Sequence, residues 1–229
     1  MNNILLNLTY EKNARNNMLK TIHKPRHYYN ELLHCIDCWR NNGGSLKNID
    51  ILVCTDDTTL KLPFDNIKYL YVNFDNSLSD YGFVNIYKAG QAATNNYPNF
   101  THIHIDLDMY VLRDPSEILL FRGNTALGVY SIADENYQRK KIFGTRLAET
   151  DLIITKPGSN FYNLYLKEFN KISKILRARN TSEYDIEEYV ADWMLFKNEY
   201  AVIEEYEYGE SFKCRPTNPL FLHHHKYYN

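Results

Sequence analysis

The sequence predicts an α/β fold in which a mainly parallel sheet is covered by helices. Strand and helix candidates alternate over the first half of the 229-residue chain, in the order β-α-β-β-α-β. The strand candidates are continuous apolar runs, which is typical of strands buried on both faces of a parallel sheet. Two of these strands lead directly into carboxylate pairs, Asp56–Asp57 and Asp106/Asp108. In such sheets ligands bind beyond the carboxyl ends of the strands, so we expect a site at these residues.

Apolar periodicity and turn residues define the elements of the first half. A helix is predicted where apolar residues recur every three or four positions, and the Asn- and Gly-rich segment 41–44 ends the first one. Pro98 marks the break after the second helix. The predicted strands are residues 4–8, 49–54, 67–72 and 103–105, and the predicted helices are residues 28–40 and 83–95.

The second half of the chain is less regular. After the fourth strand an apolar run, 109–112, precedes Asp114-Pro115, which begins a helix. The polar and basic segment 134–146 predicts either a loop that closes over a ligand or a plain surface connection. The remaining predicted elements are strands 126–132, 150–155 and 201–205 and helices 161–170, 171–179 and 183–196.

Composition and charge are those of an ordinary soluble domain. Hydrophobic residues make up 44% of the chain and charged residues 24%, with a net charge of −2. This balance gives no reason to expect nucleic acid as a partner. No apolar run approaches the ~20 residues that span a bilayer, so we expect no transmembrane segment. The N-terminus lacks the basic region and long apolar stretch of a signal peptide.

The four cysteines predict a reducing compartment and a cytoplasmic protein. Cys35 and Cys38 have redox or zinc spacing, but they lie on one face of a predicted helix. A zinc site needs a second close pair, which Cys54 and Cys214 do not form in the sequence. We therefore interpret the cysteines as reduced thiols.

Asp106-Leu107-Asp108 carries the strongest chemical signal. Apolar residues flank this triplet on both sides, which argues against a solvated surface turn. Burying one carboxylate at a strand end costs several kcal/mol, and two carboxylates also repel each other. A divalent cation offsets both penalties, and hard carboxylate oxygens suit Mn²⁺ or Mg²⁺, which bind phosphates. The motif therefore predicts a metal ion that binds a diphosphate.

Two other classes of function remain open at this point. One is a metal-dependent hydrolase. In a strand, alternate residues point to one side, which would give a row of four potential metal ligands: His102, His104, Asp106 and Asp108. The other possibility is a non-catalytic module that binds a nucleotide or a sugar. A hydrolase acts on phosphoesters or amides, whereas a binding module binds its ligand without turnover.

The order of these motifs resembles the metal-dependent nucleotide-sugar glycosyltransferases of the GT-A fold. The chain is most similar to glycogenin-like and lipopolysaccharide galactosyltransferase-like enzymes, and it is similar in size to small virus-encoded transferases. The resemblance extends from Ile4 to the C-terminus. Four segments carry the resemblance. They are Tyr87-Lys88 with the following residues 100–115, the strand–Lys-Pro–helix segment 151–169, the helix 189–197 and the closing segment 221–226.

The resemblance implies one GT-A type domain over residues 1–229. Residues 1–115 form the half that binds the nucleotide sugar, and residues 116–229 form a smaller, mixed acceptor-side half. The implied reaction is transfer of a sugar from a nucleoside diphosphate sugar, UDP-hexose above others, to a glycan or another hydroxyl acceptor. Mn²⁺ or Mg²⁺ stabilises the diphosphate leaving group in such a reaction. If the chain is virus-encoded, the compartment is the host cytoplasm.

The resemblance also assigns roles around the diphosphate. Asp106 and Asp108 become metal ligands, one of them through water or the ribose. One histidine of 223–225, here His224, completes the metal site as a neutral imidazole ligand. Lys88 and Lys226 contact phosphate oxygens as point charges.

The nucleobase and the reacting sugar involve other segments. Thr9 and Tyr10 follow the first strand, where Tyr10 stacks on the base. Asp57 or its neighbour Asp56 hydrogen-bonds the edge of the base. Asp192 is the predicted catalytic residue, from a carboxylate cluster that also contains Asp185, Glu187 and Glu188. We expect Tyr189, Trp193 and Phe196 to form the anchored apolar face of its helix.

Overall fold

The computed structural model describes residues 3–12, 28–74, 83–131, 138–144, 146–179, 183–204 and 220–223. Within these ranges the chain forms a seven-stranded sheet, a separate two-stranded pair and five α-helices. The large sheet contains β1 (Ile4–Tyr10), β2 (Asp50–Thr55), β3 (Ile67–Tyr71), β4 (Thr101–Ile105), β6 (Thr125–Ser131), β7 (Arg146–Thr155) and β8 (Ala201–Glu204). The pair contains β5 (Met109–Val111) and β9 (Phe221–His223). The helices are α1 (Tyr28–Asn42), α2 (Phe83–Asn96), α3 (Gln138–Phe143), α4 (Phe161–Arg177) and α5 (Glu183–Lys197).

The strand order of the large sheet is β3-β2-β1-β4-β7-β6-β8. Neighbouring strands run parallel except at β7, which is antiparallel to both β4 and β6. Most carboxyl ends therefore lie at one edge of the sheet. The prediction of a mainly parallel sheet flanked by helices is confirmed.

Both faces of the sheet are buried, which explains the continuous apolar strands. Leu6 and Leu8 of β1 belong to an apolar cluster that includes Leu32 and Ile36 of α1. The intervening Leu5 belongs to a second cluster on the other face, with residues of α2. Because successive side chains of a strand point to opposite faces, β1 has apolar side chains at successive rather than only at alternate positions.

A third apolar cluster joins α2, α4 and α5 on the second face of the sheet. At Gly90 the backbone of α2 approaches α4 so closely that an added Cβ atom would lie 2.2 Å from Cε1 of Tyr162. Gly90 is therefore required by packing rather than by backbone conformation. This contact fixes the position of the helices that carry several candidate site residues.

Four elements differ from the sequence prediction. The segment expected as a loop contains α3, and the helices expected at 161–170 and 171–179 are one continuous helix, α4. Strand β7 begins at Arg146, four residues before the expected start at 150, and the C-terminal segment contributes β9. None of the helices in the described ranges is long and apolar enough to cross a membrane.

Candidate functional site

Three neighbouring parallel strands end at the same edge of the sheet. β1 ends at Tyr10, β2 is followed by Asp56 and Asp57, and β4 is followed by Asp106. The antiparallel strand β7 continues past this edge, where its Asp151 carbonyl accepts a hydrogen bond from the Asp106 N–H at 3.1 Å. The fold thus brings predicted residues from three distant segments to the edge at which ligands bind in such sheets.

Asp106, Leu107 and Asp108 form a tight turn between β4 and β5. The N–H of Met109 donates to the carbonyl of Asp106 at 3.1 Å, and Leu107 packs into the core. The Asp106 side chain is 21% exposed, whereas Asp108 is only 3% exposed. One carboxylate therefore opens to the edge of the sheet and the other is enclosed by protein.

The closing segment of the chain returns to this turn. β9 pairs antiparallel with β5, in the register Val111↔Phe221 and Met109↔His223. Because β9 runs toward Met109, its last residue lies beside the residue that follows Asp108. The predicted ligands His224 and Lys226 lie outside the described residues.

Helix α1 supports β5 from the other side. The Sγ of Cys35 donates to the Met109 carbonyl at 3.5 Å, and Asn42 Nδ2 donates to the Val111 carbonyl at 3.0 Å. Burial raises the pKa of the Cys35 thiol, and Cys38, Asp108 and Asp106 raise it further. Cys35, Cys38 and Cys54 are free thiols, and Cys214 lies outside the described residues.

The two histidines of β4 have different surroundings. Nδ1 of His102 lies 3.0 Å from Nδ2 of Asn7, and Nε2 lies 3.0 Å from the Tyr97 carbonyl. Burial lowers the pKa of His102, and the hydrogen bond to the Tyr97 carbonyl opposes this change. His104 is 1% exposed and places Nε2 3.5 Å from Oδ1 of Asp106. Because Asn7 and the Tyr97 carbonyl already engage both ring nitrogens of His102, this histidine is removed from the predicted row of metal ligands.

The predicted base-binding residues lie in β1 itself rather than after it. Tyr10 is 8% exposed and its ring packs edge-to-face against Tyr29 at a centroid distance of 6.4 Å. Burial is the main cause of the raised pKa of Tyr10, and Asp57 contributes. The hydroxyl of Thr9 is buried and has no hydrogen-bond partner among the described residues.

Asp57 is held by its own loop and by Lys12. Its Oδ1 accepts hydrogen bonds from the N–H and the hydroxyl of Thr59, at 2.9 and 2.6 Å, and from Lys12 Nζ at 3.1 Å. The Thr59 bonds are the main reason why the pKa of Asp57 is lowered, with Lys12 as a further cause. Asp56 accepts the backbone N–H of Lys12 at 2.8 Å.

Glu11 lies at the same edge of the sheet and is a candidate that sequence reasoning did not include. It directly follows Tyr10, and its Oε2 accepts a hydrogen bond from Nδ2 of the fully buried Asn85 at 3.0 Å. Burial raises the pKa of Glu11 to about 7; Asn85 opposes this rise, Asp56 adds to it and Lys88 opposes it. The sequence signal for Glu11 was its position at the end of the first strand.

Asp192 is engaged by two protein donors. Its Oδ1 accepts the N–H of Ala148 at 2.7 Å, and its Oδ2 accepts Nε of Arg139 at 2.5 Å. Arg139 also pairs with Glu188 and donates to the Ala148 carbonyl at 3.3 Å. These contacts tie α3 and β7 to α5, so part of the expected loop is anchored by a buried arginine.

The orientation of α5 corrects one expectation. Its buried apolar side chains are Ile186, Val190, Ala191 and Met194. Phe196 is 68% exposed, and Trp193 and Tyr189 are only partly buried. The expected anchored face was wrong because Asp192 is pulled inward by Arg139 and Ala148, which turns its neighbour Trp193 outward.

Glu187 lies in a buried aromatic setting between α2, α4 and α5. Tyr87 donates its hydroxyl hydrogen to Oε1 at 2.5 Å, and Tyr165 donates to the Glu187 carbonyl at 3.1 Å. The two tyrosine rings stack at 3.3 Å. Burial raises the pKa of Glu187 to about 8; the Tyr87 bond opposes this rise, while Glu188 and Asp106 add to it. The side chain of Asp185, from the same predicted cluster, lies outside the description.

A complete set of metal ligands is not present in the described ranges. No three His, Cys, Asp or Glu side chains within those ranges form a group that holds an ion. Asp106 and Asp108 therefore need a further ligand from elsewhere in the chain, from the substrate or from water.

Comparison with known proteins identifies the fold. No family model matches the sequence, and no curated protein matches it significantly. Among solved structures, the fold is similar to that of the galactosyltransferase LgtC in complex with donor and acceptor sugar analogues. The TM-score is 0.58 at 11% sequence identity, over 97% of this chain and 87% of that chain. The architecture is the GT-A fold.

Proposed function

We propose that the protein is a glycosyltransferase that moves a hexose from a nucleoside diphosphate sugar, UDP-hexose above others, to a hydroxyl group of a glycan or glycoconjugate acceptor. The observation that carries this proposal is the Asp106–Asp108 turn at the carboxyl edge of a GT-A sheet. The end of the chain approaches the same turn through β9. Donor and acceptor analogues in the LgtC complex support sugar ligands for this fold.

The carboxylates at this edge fit a hard divalent cation. Asp106 and Asp108 offer the oxygen ligands that Mn²⁺ and Mg²⁺ prefer. Asp108 is nearly fully enclosed by protein, whereas Asp106 remains accessible. An ion between them would therefore contact protein on the Asp108 side and be open to a ligand on the Asp106 side. When bound, the cation neutralises the negative charge that develops on the diphosphate leaving group.

The nitrogen ligand in this proposal is His224. The register of β9 places the preceding residue, His223, opposite Met109. His224 itself lies outside the described residues, and the proposal rests on its adjacency in sequence to β9. Lys226 and Lys88 then bind phosphate oxygens, and Lys88 already lies near enough to Glu11 to oppose the rise in its pKa.

The nucleobase lies over the ends of β1 and β2 in this proposal. Thr9 contributes a buried hydroxyl without a partner among the described residues, and Tyr10 contributes an aromatic ring. Asp57 accepts three hydrogen bonds through Oδ1, so its second oxygen is the group available to a base edge.

Asp192 acts on the reacting sugar or on the acceptor hydroxyl from the half formed by residues 116–229. Its carboxylate is held in place by Arg139 and by the N–H of Ala148. The Asp192 side chain is fully buried, so on this proposal a sugar hydroxyl reaches its carboxylate when the contact between α3 and α5 around Arg139 opens.

A screen of nucleotide sugars tests this proposal. Thermal shift with UDP- and GDP-hexoses, each with and without Mn²⁺, identifies the donor, and release of the nucleoside diphosphate into solution with simple sugar acceptors measures transfer. We expect stabilisation and turnover that depend on Mn²⁺. A ligand that stabilises the protein without any turnover would favour the non-catalytic binding module, and turnover of a phosphoester without a sugar nucleotide would favour the hydrolase.

A further inference from the structure

The two histidines of β4 differ in the hydrogen bonds of their ring nitrogens. His102 and His104 lie on the same face of β4, two residues apart. Both ring nitrogens of His102 have polar partners, Asn7 and the Tyr97 carbonyl. His104 is equally buried, but neither of its ring nitrogens has a hydrogen-bond partner among the described residues. The difference calls for a physical reason.

An unsatisfied ring nitrogen in a core is destabilising, because it has lost its hydrogen bonds to water. The carboxylate of Asp106 is close, with Oδ1 at 3.5 Å from Nε2 of His104, just beyond a good hydrogen bond. His104 is flanked by its partners Asn7 on β1 and Ile153 on β7, so the ring is held in the middle of the sheet. Asp106 is partly exposed and lies at the strand end, so a small side-chain movement there closes the gap.

We propose that His104 is a positioning residue for Asp106. In the metal-bound state Nε2–H donates to Oδ1 of Asp106, which orients the carboxylate and leaves Oδ2 to bind the cation. Carboxylates that bind metals are commonly held by such hydrogen bonds, and losing the partner typically weakens metal binding by roughly 10- to 100-fold. This inference rests on the proposed function, because it assumes a divalent cation at Asp106.

Isothermal titration with MnCl2, in the presence and absence of UDP, tests the inference on the full chain. His104→Phe removes both ring nitrogens and preserves a flat aromatic side chain. We expect Mn²⁺ affinity to fall roughly 10- to 100-fold, with UDP binding in the absence of metal unchanged. His104→Gln retains an N–H donor and should keep more Mn²⁺ affinity than His104→Phe. Equal losses in the two variants would overturn the inference, since they would indicate packing rather than a hydrogen bond.

His102→Phe is the matched control, because it removes a histidine of the same strand and face. It should lower the melting temperature, since it breaks two buried contacts, and leave Mn²⁺ affinity unchanged. A double-mutant cycle with Asp106→Glu, which keeps a carboxylate ligand but moves its oxygens away from His104, adds a second criterion: if His104 acts through Asp106, His104→Phe causes a smaller loss of Mn²⁺ affinity in that background. Additive losses, or wild-type affinity in His104→Phe, would overturn the inference. Absence of any Mn²⁺ binding to the wild-type protein would instead overturn the proposed function.

Discussion

Met109 and His223 are direct partners in the antiparallel pair of β5 and β9. Met109 follows Asp108, so this pairing returns the end of the chain to the carboxylate turn. A three-residue strand gives little stability by itself. Its register places the backbone of His223 beside the residue that follows the proposed metal ligand Asp108.

Deletion of residues 224–229 tests the role of this segment. The deletion leaves β9 intact and removes His224 and Lys226. We expect Mn²⁺-dependent UDP affinity to fall at least tenfold, because a metal ligand and a phosphate contact are lost. Titration calorimetry on the single variants His224→Ala and Lys226→Ala separates the loss of UDP affinity that is due to the metal ligand from the loss that is due to the phosphate contact. Unchanged affinity after the deletion would show that the closing segment takes no part in binding.

Substitution of Asp192 should affect both stability and turnover. Asp192→Ala leaves the buried guanidinium of Arg139 without one of its partners, which we expect to lower the free energy of unfolding by about 3–5 kcal/mol. The double substitution Asp192→Leu with Arg139→Met should recover much of this loss, because it removes the charge together with its partner. Urea denaturation of the three proteins measures these differences.

The milder Asp192→Asn separates catalysis from folding. On the proposed role it cuts turnover by roughly a hundredfold or more and changes donor affinity little. Steady-state kinetics and donor titration at a temperature well below the melting point provide the comparison. Full turnover in this variant would move the catalytic role to another carboxylate, with Glu149 and Asp151 as the next candidates.

Glu187 predicts a specific dependence of stability on pH. Its pKa is about 8 in the folded protein, whereas a glutamate in an unfolded chain ionises near ~4.3. Between these values the folded protein binds more protons than the unfolded chain. The free energy of unfolding therefore falls as pH rises from about 4.3 to about 8, by at most ~1.4 kcal/mol per pH unit from this group.

Glu187→Gln should flatten this slope, because glutamine does not titrate and its carbonyl still accepts the Tyr87 hydrogen bond. Glu11→Gln should flatten it only up to about pH 7, where the Glu11 carboxyl titrates. The exposed Glu117→Gln serves as the surface control. Urea unfolding at pH 5, 6, 7 and 8 gives the slopes; identical slopes in Glu187→Gln and wild type would contradict the assignment.

Gly90 should not tolerate a methyl group. In an exposed helix Gly→Ala stabilises by up to ~1 kcal/mol, but here the new Cβ would lie 2.2 Å from the Tyr162 ring. We expect Gly90→Ala to lower the free energy of unfolding by about 1–3 kcal/mol, as overpacking does. In a Tyr162→Leu background the same change should cost less. Stabilisation by Gly90→Ala in the wild-type background would show that α2 and α4 are farther apart.

The parts of the fold predicted correctly from sequence are those with local signals. The buried strands were recognisable as apolar runs, and the position of Asp106 after β4 was recognisable because it directly follows such a run. Helix α3 was not, since it has six residues and its anchor is Arg139, whose partners are on β7 and α5. A short helix held by distant ion pairs leaves no periodicity to detect.

Non-local pairing explains the other differences. Strand β9 has three residues, and its partner strand β5 lies in the first half of the chain. The burial of Asp192 likewise depends on Ala148 and Arg139, which no spacing along α5 indicates. The Tyr87–Glu187 contact joins two helices that are distant in sequence. These relationships become visible only when the elements are assembled.

Binding of the donor to wild-type protein and to carboxylate variants tests the central claim most directly. The affinity for the UDP-hexose selected by the screen is measured with and without Mn²⁺ in wild type, Asp106→Ala and Asp108→Ala, with the exposed Asp37→Ala on α1 as the control. The account predicts that Mn²⁺ strengthens binding in wild type and in the control, and that this effect disappears in both site variants while circular dichroism shows an intact fold. Mn²⁺-dependent binding of wild-type strength in Asp106→Ala and Asp108→Ala would contradict it.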